Sequence, residues 1–186
     1  MVSAPAMRMA PGELELVRSF VNTLDRETGD DALGEPRAPA DWLAEHELLD
    51  PGTRATGVEL RRAMAVREAL RALLVANNGG PLDPDAVAVL EAAVPWCGLV
   101  VVFDHRGRIA VESTRPGVGG AVGRLLAASS RAMSQGTWNR LKACRANDCG
   151  WAFYDWSRNR SGRWCSMAVC GNRAKVRALR ARRSTR

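Results

Sequence analysis

The chain has 186 residues, 46% of them hydrophobic and 25% charged, with a formal charge of +7 and a pI near 9.9. No apolar run approaches the roughly eighteen residues a membrane-crossing helix needs, and residues 1–12 lack the basic start and apolar core of a secretory leader. Neither a membrane-embedded nor a secreted protein is expected, and a soluble cytoplasmic protein is.

Charge divides the chain into unlike parts. Residues 140–186 hold thirteen Lys or Arg against two acids, a formal +11, while residues 1–139 hold fourteen basic and eighteen acidic groups, a formal −4. A coding bias would raise arginine everywhere and not beside a net acidic body, while a merely solvated basic tail stands as the alternative. The clustering calls for a polyanion, most simply nucleic acid.

In chain order, Leu14, Val17, Val21 and Leu24 recur at helical spacing, with Phe20 widening the stripe, and predict a first helix. A second is expected over residues 39–46, after a proline break at 36–39. Residues 60–74 predict the longest helix, with Met64, Leu70 and Leu73 inward and the run from Asn77 to Pro81 ending it. A shorter helix is expected after Asp83 and Pro84. Residues 98–103 and 108–112 flank a turn at 104–107 and predict a β-hairpin. Residues 118–133 resume a helical pattern that leads into the basic segment. Cys97 reads as a small core residue, and Trp42 and Trp138 as core or interface anchors.

The basic segment holds the strongest signal. Cys144-x4-Cys149 and Cys165-x4-Cys170 are matched pairs separated by fifteen residues, a pattern suited to one tetrahedral zinc ion. The x4 gap is wider than the usual x2, and two disulfides or inert buried thiols stand as alternatives. Four thiolates leave no open position for water, so the metal holds shape and does no chemistry. About fifty residues bury little apolar surface, whereas zinc binding supplies roughly 10 to 16 kcal/mol of apparent folding free energy in small peptides. Zinc removal is therefore expected to unfold this end. With the ion and four thiolates contributing −2, the module keeps about +9.

Residues 151–154 read as a strand, 157–162 as a polar turn and 163–165 as the returning strand, so the zinc pairs are expected to bracket a hairpin. A helix is expected over 172–183, with Val176 and Leu179 packing on that hairpin, Asn172 as its cap, and Arg173, Arg177 and Arg180 on one face. The nucleic-acid-binding candidates are Arg158, Asn159, Arg160, Arg163, Asn172, Arg173, Lys175, Arg177 and Arg180. The expected fold is α+β: a mostly helical domain with one β-hairpin over residues 1–135, then a small treble-clef-like zinc finger over 136–186.

The run from Cys144 to Arg173, ending in Cys170-Gly171-Asn172-Arg173, resembles the CGNR zinc finger. Phe20-Val-Asn-Thr-Leu-Asp25 is similar to the opening motif of the ABATE domain that usually precedes that finger in bacterial proteins. The resemblance implies a stress-induced transcription regulator whose finger binds DNA, and it makes Asn22, Thr23 and Asp25 candidate residues of a ligand pocket, although such residues also end helices. The four cysteines match. At Gly162 the chain departs from relatives that often place a basic residue before Arg163, a difference expected to remove a phosphate contact.

No Gly-x-Ser-x-Gly elbow, His-Glu-x-x-His, phosphate-binding loop or dinucleotide turn occurs, and His46 and His105 lie far apart. A non-enzyme is expected, with duplex DNA as partner, a small-molecule effector and a homodimer as further expectations, and no membrane. Interleaved Trp151, Phe153, Tyr154, Trp156 and Trp164 keep an RNA-stacking alternative open. A protein-binding finger is the other.

Overall fold

A computed structural model describes residues 8–34, 38–146 and 148–184. The expectations that fall on residues 1–7, on Pro36 and on Arg186 lie outside the described residues.

The body is built from α1 (Leu14–Val21), α2 (Ala38–Glu45), α3 (Gly57–Asn77), α4 (Pro84–Cys97) and α5 (Gly117–Ser134), with an antiparallel hairpin of β1 (Leu99–Phe103) and β2 (Ile109–Ser113) between α4 and α5. Each element starts where its local chemistry allows. Thr56 and Glu59 close a reciprocal capping box at the head of α3, and the Asp83 carboxylate caps α4 ahead of Pro84. The hairpin turn forms because Asp104 Oδ1 accepts from the backbone N–H groups of Arg106 and Arg108, at 2.8 and 2.9 Å. Among the described residues no helix is long and apolar enough to cross a membrane.

Val17, Phe20 and Val21 of α1 meet Leu70 and Leu74 of α3 and Val118, Val122 and Leu125 of α5 in one core. Cys97 is fully buried at the end of α4, and burial pushes its thiol up to about 11, so it behaves as a core residue. Two arginines also enter this interior. Arg67 forks onto Asp31 at 2.6 and 2.9 Å and donates to Thr23, and Arg71 donates to the backbone carbonyls of Val21 and Gly150, both at 2.7 Å.

Beyond α5 a 3₁₀ turn (Trp138–Arg140) leads to β3 (Leu141–Ala143), which pairs antiparallel with β4 (Ala152–Tyr154), Lys142 lying opposite Phe153. This corrects the expected hairpin: residues 151–154 pair with the segment before the first cysteine and not with 163–165. The reason is that β3 is buried along its whole length, so its three residues show none of the alternation that marks a half-exposed strand. Segment 163–165 follows as an irregular stretch whose Arg163 carbonyl accepts from Arg145 N and Asn78 Nδ2. A π-helical turn (Met167–Gly171) then continues into α6 (Asn172–Ser184).

Two further expectations change. Val176 and Leu179 do not pack on a hairpin: both are about half exposed, and the described side chains of α6 from Lys175 onward are all exposed. Asn172 is not the helix cap, because the helical path begins earlier, where Ser166 Oγ accepts from Val169 N, and Asn172 Nδ2 donates back to Ala168 O at 3.1 Å.

A zinc centre docked on the helical body

The first knuckle is the loop of the β3–β4 hairpin, and the second is the segment from Cys165 through the π-helical turn. Together they bring the Sγ atoms of Cys144, Cys149, Cys165 and Cys170 within 4.8 Å of one another. Cys149 Sγ is 3.7 Å from Cys165 Sγ, which is 3.6 Å from Cys170 Sγ. A zinc–sulfur bond of about 2.3 Å places the corners of a tetrahedron about 3.8 Å apart, whereas a disulfide needs about 2.05 Å. The spacing therefore fits an ion and rejects the paired-disulfide alternative.

Electrostatics agrees with geometry. Hydrogen bonds from Cys149 and Cys165 pull the Cys144 thiol far down, and the resulting thiolate pushes Cys149 and Cys165 up. Thiolates packed this closely repel one another unless a cation sits among them. The set is all-thiolate and closed, which suits a soft divalent metal in a structural role: the four cysteines bind one structural zinc ion.

The Cys-Gly-Asn-Arg run has a separate physical reason at each position. Cys170 is a ligand. A Cβ on Gly171 would come within 2.7 Å of Met167 Sδ and 3.3 Å of the Trp164 ring, so a larger residue there must push the Met167 side chain aside. Asn172 ties the π-helical turn to α6. Arg173 forks onto Glu27 of the body at 2.7 and 3.0 Å while its Nη2 lies 3.7 Å from Cys170 Sγ, countering thiolate charge. The hydrogen bonds to Glu27 raise Arg173 above its ordinary value and lower Glu27.

The body grips the finger through backbone groups. Asn22 donates to Ala152 O at 2.9 Å and accepts from Ala152 N at 2.7 Å, imitating a strand neighbour for β4. Asn77 donates to the carbonyls of Trp138 and Leu141, Asn78 to those of Ala143 and Arg163, and Arg71 to that of Gly150. Asn22, Thr23 and Asp25, the candidates for a ligand pocket, are thus engaged within the fold. Thr23 bonds Phe20 O and receives Arg67, and Asp25 accepts from the backbone of Glu27 and Thr28.

Lys142 and Asp155, which sequence reasoning passed over, shape the loop that carries Arg158, Asn159 and Arg160. They form a buried ion pair at 2.8 Å, and Lys142 Nζ also donates to the carbonyls of Arg160 and Gly162. Burial alone would raise the Asp155 carboxyl, but hydrogen bonds from Lys142, Ser157 and Gly162 outweigh it and hold it near about 2. The loop closes so tightly that a Cβ on Gly162 would lie 2.9 Å from the Asp155 carboxyl carbon. The departure at Gly162 is thereby a packing requirement. The one available signal was a lysine set between Leu141 and Ala143 ahead of the first cysteine.

Of the nine residues put forward for nucleic acid, Arg158, Asn159, Arg160, Arg163, Asn172, Lys175, Arg177 and Arg180 are exposed, and Arg173 is half-buried. Arg173 and Arg177 are paired, with Glu27 and Asp148 respectively. The finger's aromatics face the other way: Phe153 and Tyr154 are buried, and Trp151 and Trp164 pack around the cysteine cluster. Trp156 is the exposed one, and the Arg8 guanidinium lies 3.8 Å from its ring centroid.

Comparison with protein families matches residues 14–135 to the ABATE family, described as a putative stress-induced transcription regulator, and residues 140–183 to the CGNR zinc finger. Neither is an enzyme family. No curated protein matches the chain. With two thirds of its length under the first match and its cysteine cluster under the second, the chain belongs to the ABATE family and ends in a CGNR zinc finger.

Proposed function

We propose that the protein is a zinc-dependent regulator of transcription that binds duplex DNA through its finger. The observation that carries this reading is the distribution of unpaired cations. Among the described residues, Arg145, Arg158, Arg160 and Arg163 around the knuckles and Lys175, Arg180, Arg182 and Arg183 on α6 are exposed and have no carboxylate partner. They surround a rigid metal centre on a helix that stands clear of the body. A helix about 10 to 12 Å across fits a major groove about 12 Å wide. Exposed Val176 and Leu179 on the same helix suit contact with thymine methyl groups. Backbone phosphates supply affinity through Lys and Arg, while base edges are read by residues at the head of α6 or in the loop 157–162.

Packing of Trp151, Phe153 and Trp164 around the cysteines and of Tyr154 against the body favours duplex DNA over single-stranded RNA, because stacking on unpaired bases requires free ring faces. Selection of bound sequences from a random duplex pool, run beside Cys165→Ser, tests the proposal. An enriched motif lost with that cysteine is expected. Retention of no duplex, or equal retention by the variant, removes it.

A further inference from the structure

We propose that the groove between α3 and α4 binds a small organic acid with an apolar body. The groove has a volume of about 590 Å³, within the range of small-molecule sites. Its floor and walls are Val66, Val89, Ala93 and Trp96, and the charged groups along it are two guanidinium groups, Arg62 from α3 and Arg115 from the segment after β2. No carboxylate lines it. Arg62 Cζ lies 5.8 Å from the Trp96 ring centroid, and Arg115 Nη1 donates to Trp96 O at 3.2 Å, so both cations converge on the same tryptophan. Among the described residues neither has a carboxylate partner, although eight other arginine or lysine side chains do.

Two guanidinium groups without carboxylate partners beside an apolar, aromatic surface offer planar donors that match a carboxylate. The ligand's apolar body then covers Trp96 and the exposed Val89, which neither arginine can satisfy. This location differs from Asn22, Thr23 and Asp25, whose polar atoms serve the fold. It also lies on the helix that, through Arg71, Asn77 and the adjoining Asn78, holds the finger. Nothing in the assignment depends on DNA binding.

The test uses full-length, zinc-loaded protein titrated with benzoate, phenylacetate and octanoate, each beside its uncharged amide. The Trp96 indole N–H, assigned with Trp96→Phe, is followed in proton–nitrogen correlation spectra. At least one acid is expected to give a saturable shift at low-millimolar concentration and to bind about tenfold more tightly than its amide, a factor typical of one charged hydrogen-bonded contact. The double variant Arg62→Gln, Arg115→Gln is expected to lose that response with an unchanged melting temperature, because both side chains are on the surface. The proposal is overturned by silence from all three acids, by equal binding of the amides, or by full affinity in the double variant. A response to an acidic helical peptide alone overturns it too, and makes the groove a protein-docking surface.

Discussion

The hairpin of the finger and its two knuckles lie side by side, yet they are held by opposite means. Leu141, Ala143, Ala152 and Tyr154 of β3 and β4 belong to the core of the helical body, and Asn22, Arg71, Asn77 and Asn78 bind the backbone around them. The knuckles have a separate, small cluster in which Cys144, Phe153 and Cys170 are buried and Trp151 and Trp164 are partly so. Apolar burial suffices for the first region. In the second it is too small, and metal ligation replaces it.

Removal of zinc is the harshest way to break this comparison. Chelation, or Cys165→Ser, takes away a contribution on the order of 10 kcal/mol to the local fold. Amide exchange is expected to accelerate across residues 144–149 and 165–184, while Leu141–Ala143 and Ala152–Tyr154 keep the protection of the body. Sequence alone predicted that the whole C-terminal end would unfold. Loss of protection in β3 and β4 together with the knuckles would show that the hairpin depends on the ion after all.

The next largest effect belongs to the buried pair beneath the 157–162 loop. Asp155→Asn leaves Lys142 charged and unpaired in a site where both side chains are almost wholly buried, which costs about 3 to 5 kcal/mol. Urea denaturation measures it, and Lys142→Met added to that variant is expected to return a large part of the loss. The pH dependence follows from the low Asp155 value. Its folded value, near about 2, lies below the unfolded value of about 3.9, so its contribution is complete above pH ~4 and is lost as pH falls toward ~2. The stability gap between wild type and Asp155→Asn is accordingly expected to narrow over that window by about 2 kcal/mol.

Arg71 tests the attachment itself. Arg71→Met leaves the carbonyls of Val21 and Gly150 without their donor and is expected to cost about 2 to 3 kcal/mol, read from the urea midpoint. A loss below about 1 kcal/mol would mean that apolar contact alone seats the hairpin.

These contacts also explain where the sequence was opaque. The cysteine spacing, the five body helices and the first hairpin were legible, since each has a local signal: matched pairs, 3.6-residue periodicity, a turn between β-rich runs. The partner of β4 had none, because β3 is three residues long and buried on both faces, with a lysine in the middle. Arg67 and Arg71 place charge on the inward face of α3, so the apolar stripe there looks weaker than it is. Asn22, Asn77 and Asn78 read as helix-ending polar residues, yet their partners are backbone groups 61 to 130 residues away. The expected packing of Val176 and Leu179 assumed a hairpin underneath α6, and the real hairpin lies against the body.

The smallest effect on stability is the most informative about the proposed DNA contact. Arg173 and Glu27 are about two fifths and one half exposed, so Glu27→Gln is expected to change stability by less than about 1 kcal/mol. Six to eight phosphate contacts would give a log–log salt slope of about −5 to −7. In the wild type a phosphate must displace Glu27 before it meets Arg173, so that cation contributes little to the slope. Glu27→Gln frees it, and binding is expected to tighten while the slope steepens by about 0.9, one further phosphate contact. Fluorescence anisotropy at several salt concentrations reads both quantities, with Arg173→Ala as the reference that cannot gain. Unchanged affinity and slope would assign Arg173 to the body-facing side of the finger, leaving DNA to the unpaired cations of α6 and the knuckles.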